Sequence, residues 1–355
     1  MKKILLVNPF GIGDVLFTTA VIRAIKDAYP DSFIGYWCNQ RVSELLEINP
    51  AVNVVFPLSR GDLKKIFRQS KFSGMGKFFS LFYGIKRQKF DILLDFSLEH
   101  RYSLMAKLLG IRQRIGFNYK GRGRFLTEKI SLEGYKGRHV VEYYLDLLQF
   151  LYIKAEGGKL ELPLSQESRI KARNLFLSFG IKPADTVVGI VPGAGASWGR
   201  DAGMKHWPAI RFTRLADRIA DELGAKIVIL GDEKDRPLAD TIAGMMKHRP
   251  VDLIAKTSLE ETAAVMSELK LSVTNDGGPL HMAVAVGAKT VSIFGPVDEN
   301  VYGPYPKSQW HEVITRQMPC RPCYQNFRLP LCENGRACIE EITVEEVFAA
   351  VRRLL

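Results

Sequence analysis

Short apolar runs rich in β-branched residues alternate along this chain with longer stretches in which apolar residues recur every three or four positions. The runs predict strands, the longer stretches predict helices, and their alternation is typical of α/β units with mostly parallel sheets. In the N-terminal half the predicted strands are 3–8, 33–37, 53–56, 91–95 and 114–116, and the predicted helices are 14–28, 41–48, 100–109 and 139–152. In the C-terminal half the predicted strands are 186–193, 225–231, 251–255, 270–275 and 289–295, and the predicted helices are 208–223, 234–247, 259–268 and 279–286.

The strand and helix pattern starts again after a polar helical segment at 166–179, so the 355 residues predict two doubly wound domains. We expect the carboxyl ends of both sheets to face one cleft, because ligands bind at those ends in such folds. The predicted parts are an N-terminal domain over 1–175, a C-terminal domain over 176–338 and a last helix over 339–355. A capping box from Thr343 to Glu346 marks the start of the last helix.

The first strand leads into a glycine turn and a helix, NPFGIGDVLFTTAVIRAIK. Gly11 and Gly13 lack the third glycine of a dinucleotide fingerprint, and Asp14 would repel a diphosphate at this helix start. The helix dipole would instead keep the Asp14 carboxylate ionised, which suits a general base. The alternative is that Asp14 only caps the helix.

A better phosphate site occurs in the second half, in TNDGGPLHMAVAVG. Asp276, Gly277 and Gly278 directly follow a strand, and the glycine N–H groups at the helix start can bind an anion. His281 lies in the first helical turn, where it can donate to a phosphate oxygen or simply pack.

Two further loops of the second half carry charges suited to a nucleotide. PGAGASWGRDAGMKHWP (192–208) places Lys205 before a helix as a cation for phosphate, unless it is a solvated loop lysine. GDEKDRP (231–237) contains carboxylates that could accept hydrogen bonds from ribose hydroxyls; the alternative is that these acids only favour the start of a helix. The pattern suits transfer from a nucleotide in the C-terminal domain to an acceptor activated by the N-terminal one.

Taken in order from Lys2 to the C-terminus, these blocks resemble family 9 glycosyltransferases, the ADP-heptose:lipopolysaccharide heptosyltransferases. The resemblance implies a GT-B fold of two Rossmann-like domains whose last helix returns to the first domain. It also implies inverting, metal-independent transfer of heptose from ADP-heptose to the lipopolysaccharide inner core, at the cytoplasmic face of the membrane.

The same resemblance implies roles for individual residues. Asp14 matches the catalytic base, in a turn whose Gly11 and Gly13 are assigned to the acceptor side. Glu233 matches the carboxylate on the adenosine ribose, with Asp232 as a competing register. The residues that match the donor-phosphate site are Ser197, Lys205, Asp276, Gly277, Gly278 and His281.

The formal charge of +12 is concentrated between Arg60 and Arg138, where nineteen Lys and Arg face six Asp and Glu. Such an excess indicates an anionic partner, unless it is only a solvated basic face. The segment 63–90 interleaves cations with Phe and Leu, which suits an anionic membrane surface or a phosphorylated lipid acceptor; the alternative is a packed helix pair with basic outer faces. Further candidates for acceptor phosphates are Arg122, Arg124 and Arg138.

The composition, 46% hydrophobic and 25% charged, is that of a globular protein. No apolar run approaches the length of a membrane span, and the first apolar run is too short for a signal peptide. We therefore expect a cytoplasmic protein, and the resemblance implies that it is peripheral at the inner face of the inner membrane.

Four of the five cysteines lie close together as C-x2-C, x8, x5: Cys320, Cys323, Cys332 and Cys338. This spacing is compatible with a structural zinc or iron–sulfur site, with disulfides, or with no ligand at all. No D-x-D pair suggests a catalytic metal, so no cofactor is expected for the reaction itself.

Two other functions remain open from the residues. A GT-B-like sugar-nucleotide epimerase would use acidic residues around a UDP site and would need no basic lipid-facing segment. A non-enzymatic nucleotide- or nucleic-acid-binding protein would suit the charge, although no nucleic-acid motif is present and no nucleic-acid partner is expected.

Overall fold

A computed structural model describes the backbone of residues 1–355 and all side chains except those of Arg60, Ala196, Ser197 and Arg200. The predicted donor contact of Ser197 therefore lies outside the described residues. The chain forms two compact units, Met1–Lys159 and Leu160–Leu355.

The first unit is a six-stranded parallel sheet with the order β3-β2-β1-β4-β5-β6. Its strands are β1 (Lys3–Val7), β2 (Phe33–Cys38), β3 (Val54–Pro57), β4 (Ile92–Asp95), β5 (Gln113–Tyr119) and β6 (Glu128–Leu132). Its helices are α1 (Ile12–Ala28), α2 (Ser43–Glu47), α3 (Arg60–Gln69), α4 (Lys71–Gln88), α5 (His100–Leu108) and α6 (Val140–Asp146). The order reverses between β1 and β4, which is where ligands bind in doubly wound sheets.

The second unit repeats this topology as β12-β11-β10-β7-β8-β9. Its strands are β7 (Val187–Val191), β8 (Lys226–Ile229), β9 (Val251–Asp252), β10 (Leu271–Asn275), β11 (Thr290–Phe294) and β12 (His311–Thr315). Its helices are α7 (Gln166–Ser178), α8 (Ala209–Leu223), α9 (Arg236–Met245), α10 (Leu259–Glu268), α11 (Gly278–Ala285), α12 (Glu299–Tyr302), α13 (Ala337–Glu340) and α14 (Val344–Leu354). Here the switch point lies between β7 and β10.

The predicted strands and helices of both halves are confirmed, because central parallel strands are buried on both faces and read as apolar runs. Two edge strands were not predicted. β6 and β12 carry charged residues at half-exposed positions, so neither forms a continuous apolar run. Segment 63–90 forms the helix pair α3 and α4.

The division of the chain differs from the predicted one. Helix α7 packs against α10, so the second unit begins at Leu160 rather than at 176. Residues 339–355, predicted to return to the first domain, belong to the second unit. The apolar face of α14, including Phe348 and Val351, packs against α8 and the second sheet, where it completes that core.

No helix among the described residues is both long enough and apolar enough to cross a bilayer.

Candidate functional site

Two buried asparagines hold the glycine turn of the first unit. Asn8 follows β1, donates from Nδ2 to the Asp14 carbonyl at 3.0 Å and accepts from the Phe10 N–H at 3.2 Å. Asn39 follows β2 and donates from Nδ2 to the carbonyls of Pro9, at 3.1 Å, and Phe10. The ends of two neighbouring strands thus fix the path of the chain into α1.

Asp14 is not the N-cap of α1, because Gly11 occupies that position and Asp14 is the third helical residue. A carboxylate in the first turn is stabilised by the helix dipole. The half-buried Asp14 lies within electrostatic reach of the Tyr36 and Tyr144 hydroxyls. Burial, with a further contribution from the Asp14 charge, raises the pKa of both phenols, so they remain neutral beside the carboxylate.

A cavity of about 380 Å³ opens beside this turn, at the carboxyl ends of β1 to β4. Phe10 and Tyr102 give it apolar walls, Arg41 and Lys65 bring cations, and Asp62 and Glu99 bring carboxylates. Such a lining, with cations and carboxylates in equal number, suits a polar ligand. Sequence reasoning missed this cavity because its walls come from four separate loops.

The three arginines predicted for the acceptor all follow the outer strands β5 and β6 of the first sheet. Arg122 and Arg124, in the loop after β5, lie over the rings of Tyr119 and Phe125. Arg138 instead pairs with Asp146 and lies over Tyr143, 4.1 Å from the ring centre. The Asp146 carboxylate raises the pKa of the Arg138 guanidinium, so an acceptor phosphate would compete with an existing ion pair.

A buried ion pair joins the two switch-point loops of the second unit. Lys205, in the loop after β7, places Nζ 2.7 Å from Oδ2 of Asp276, directly after β10, and both side chains are buried. The Lys205 ammonium also lies 3.9 Å from the centre of the Trp198 ring. The pair brings together two sequence-predicted donor residues at the place where this fold binds ligands.

Asn275, the last residue of β10, shapes the same loops. It accepts from the Trp207 N–H at 3.1 Å and donates to the Pro192 carbonyl, so it ties β10 to the loop after β7. A Cβ on Gly277 would lie 2.3 Å from the Ala194 carbonyl oxygen, so only glycine allows this close approach.

The segment Asp276-Gly277-Gly278 leads from β10 into α11. Gly277 is the N-cap of α11 and Gly278 is its first helical residue. The first N–H groups of α11 therefore point outward from the N-terminal end of the helix. His281 is buried in the first turn.

Asp232 and Glu233, the two carboxylates predicted as alternatives for the ribose, have different surroundings in the structure. Asp232 caps the turn at 233–235 by accepting from the Lys234 N–H at 2.8 Å, and Asp235 accepts from the Asp232 N–H at 3.0 Å. Burial raises the pKa of Asp235, whose carboxylate lies against Gly193. Glu233 is also exposed, and its assignment to the ribose stays a prediction.

All four clustered cysteines line one small cavity. Burial raises the pKa of the Cys323 thiol to about 11 and also raises that of Cys338. Within the described part of the chain, no three His, Cys, Asp or Glu side chains are arranged to hold a metal ion, so the zinc site stays a prediction.

The cysteine segment braces the lysine loop. The backbone N–H of Arg336 donates to Cys332 Sγ, in the same segment, at 3.3 Å. Its guanidinium donates to the carbonyls of Gly203 and His206, which flank Lys205. Segment 320–338 therefore supports the loop that carries Lys205.

A sequence profile described as glycosyltransferase family 9 (heptosyltransferase) matches residues 78–328, well over half of the chain. The chain belongs to glycosyltransferase family 9. This glycosyltransferase is similar to lipopolysaccharide heptosyltransferase 2 of Escherichia coli K12, with 24% identity over 306 residues and 83% of each chain covered. The alternatives of an epimerase and of a nucleic-acid-binding protein are set aside by the family.

Solved structures give the same fold. The glycosyl transferase family 9 protein of Veillonella parvula DSM 2008 superposes with a TM-score of 0.82 at 24% identity, covering 99% of this chain and 97% of that chain. The ADP-heptose lps heptosyltransferase II of E. coli gives 0.77 at 22% identity, with 100% and 98% covered. The predicted GT-B fold, with two Rossmann-like units, is confirmed.

Proposed function

We propose that this family 9 glycosyltransferase moves a heptose from ADP-heptose to the lipopolysaccharide inner core, with inversion at the anomeric carbon. The observation that carries the proposal is the buried Lys205–Asp276 pair at the switch point of the second sheet. The E. coli relatives named above support the donor and acceptor classes.

The second unit would bind the donor. Lys205 and the N–H groups of Gly277 and Gly278 supply positive charge to the diphosphate as it leaves, with His281 as a further donor. Asp276 positions the Lys205 ammonium. Glu233 accepts from the ribose hydroxyls.

The first unit would activate the acceptor. The Asp14 carboxylate takes the proton of the acceptor hydroxyl as that oxygen bonds to the anomeric carbon. The bond from the anomeric carbon to the diphosphate oxygen breaks on the opposite face, and ADP leaves with the electron pair. Gly11 and Gly13 let the acceptor approach the turn closely.

Acceptor binding would draw on the positive charge of the first unit. Arg122 and Arg124 are exposed in the loop after β5 and would meet anionic groups of the core, with Arg138 released from Asp146 when the acceptor binds. The cavity lined by Arg41, Lys65, Asp62 and Glu99 would take a sugar of the acceptor next to the glycine turn.

We propose that transfer needs no metal cofactor and that the cysteine segment has a structural role, with zinc as the metal its thiols would bind. The protein would act in the cytoplasm, at the inner face of the inner membrane, where a lipid-borne acceptor is presented.

The decisive experiment measures ADP release from ADP-heptose with and without a Kdo-terminated lipid acceptor, using the wild type and Asp14→Asn. Acceptor-dependent release that falls by about 10²-fold or more in the variant supports both the transferase and the base. Equal release by the two proteins would contradict the role of Asp14. If neither protein releases ADP, the proposed donor or acceptor is wrong.

A further inference from the structure

We infer that the outward face of α4 docks on the surface of an anionic lipid bilayer. The inference gives the membrane association within the proposed function a location on this chain. Four large apolar side chains carry it: Phe72, Met75, Phe79 and Tyr83 are 89%, 50%, 60% and 67% exposed. Their spacing of i, i+3, i+7 and i+11 places them on one side of the helix.

The opposite side of α4 is already committed to the protein core. Leu81 and Ile85 are buried in the core of the first unit, beside the first sheet. Gly74 admits the ring of Phe67 from α3 so closely that a Cβ there would lie 2.5 Å from it. The helix is thus held by one apolar face while a second apolar face points to solvent, an arrangement that marks an interaction surface.

The charges around the exposed stripe select the occupant. Segment 63–90 contains eight Lys and Arg and no Asp or Glu. Lys86 and Arg87 follow Tyr83 by one helical turn, and Lys71 directly precedes Phe72, so cations lie at both ends of the stripe. In an interfacial helix, aromatic side chains usually enter the headgroup region while cations lie over the anionic lipid phosphates.

A second copy of this chain fits the stripe poorly. Pairing two α4 faces would bring two uncompensated sets of eight cations together, at an electrostatic cost that anionic lipid would relieve. The bilayer is therefore the occupant that satisfies both the apolar and the charged parts of this face.

The test is co-sedimentation of the intact protein with phosphatidylcholine vesicles that contain or lack phosphatidylglycerol, at low and high salt. The variants are Phe72→Ser/Phe79→Ser, which removes the apolar part, and Lys86→Gln/Arg87→Gln, which removes cations. Tyr152→Ser is the matched control, because Tyr152 is an exposed aromatic residue of the same unit outside α4. Thermal unfolding checks that each variant is folded.

We expect wild type and Tyr152→Ser to bind only the anionic vesicles, less at high salt, and each double variant to bind about tenfold more weakly or worse. Three results would each overturn the inference. The wild type could bind neutral and anionic vesicles equally well, all variants could bind anionic vesicles equally well, or the wild type could bind no vesicles. A dimer of the wild type that dissociates in Phe72→Ser/Phe79→Ser without any vesicle binding would assign the face to a second copy instead.

The assay contains no nucleotide sugar, so its outcome is independent of the transfer reaction. A second readout links the two. Phe72→Ser/Phe79→Ser should release ADP at the wild-type rate with a deacylated, soluble acceptor and more slowly with the same acceptor embedded in anionic vesicles. A loss with both acceptors would show that the stripe serves the reaction rather than the membrane.

Discussion

Lys205 Nζ and Asp276 Oδ2 lie 2.7 Å apart, and the side chains that carry them are buried. A buried ion pair of this kind contributes little net stability, but removing one partner strands the other charge, at a cost of about 3–5 kcal/mol. Under the proposed function the pair links the stability of the second unit to donor binding, and variants of the two residues separate the two effects.

Lys205→Met should lower the free energy of unfolding and weaken ADP binding. Adding Asp276→Asn should restore most of the lost stability, because no unpaired charge remains, while ADP affinity stays low. Chemical denaturation and ADP titration calorimetry on both variants separate the two effects. Recovery of ADP affinity in the double variant would contradict the phosphate role of Lys205.

Asp14→Asn should lower kcat by about 10²–10⁴-fold, because the amide cannot accept the acceptor proton. ADP affinity and the thermal midpoint should stay close to those of wild type, since the donor loops lie in the other unit. Steady-state kinetics with calorimetry provide the comparison. Asp27→Asn, an exposed carboxylate at the far end of α1, is the control and should keep full activity.

Asn39→Asp tests the turn that carries Asp14. The carboxylate can still accept from the Arg41 N–H but cannot donate to the Pro9 and Phe10 carbonyls, which should cost about 1–3 kcal/mol of stability. We expect kcat to fall more than tenfold as the turn relaxes. Asn49→Asp is the control, since buried Asn49 accepts from the Ala51 N–H and lies outside the turn before Asp14. Equal kinetics of the two variants would show that Asn39 does not position the base.

Asp95, at the end of β4, makes stability depend on pH. Burial raises the pKa of its carboxyl to about 7, so the folded chain holds the proton that the unfolded chain releases near pH 4. Stability should thus fall as pH rises from about 4 to 7, by up to about 4 kcal/mol. Asp95→Asn cannot ionise, and its gain in thermal midpoint over wild type should be larger at pH 8 than at pH 5. The same gain at both pH values, or an equal response in exposed Asp91→Asn, would be inconsistent with this account.

Arg336→Ala should raise the KM for ADP-heptose several-fold with little change in kcat, because the carbonyls beside Lys205 lose their brace. Arg328→Ala, exposed in the same segment, should match wild type. Initial rates over a range of donor concentrations give the KM and kcat of both variants.

Elemental analysis of the same preparations tests the zinc prediction, which requires one equivalent of zinc per chain.

Much of the fold could be read from local pattern, because central parallel strands are apolar on both faces and the helices between them carry periodic apolar faces. The edge strands β6 and β12 escaped this logic, since half-exposed strands mix charged and apolar residues. The last helix was recognised by its capping box, but its partner was not, because an apolar helix face does not specify which core it joins.

Residues close together in the chain specify the two α/β halves, the glycine turn before Asp14 and the Asp276-Gly277-Gly278 helix start, so all three could be predicted from the sequence. Tertiary structure alone decided that Lys205 meets Asp276, that Asn39 holds a turn from a different strand, and that one face of α4 stays exposed. These relationships depend on strand order and on which surfaces are buried. Neither property is specified by the residues of a single local segment.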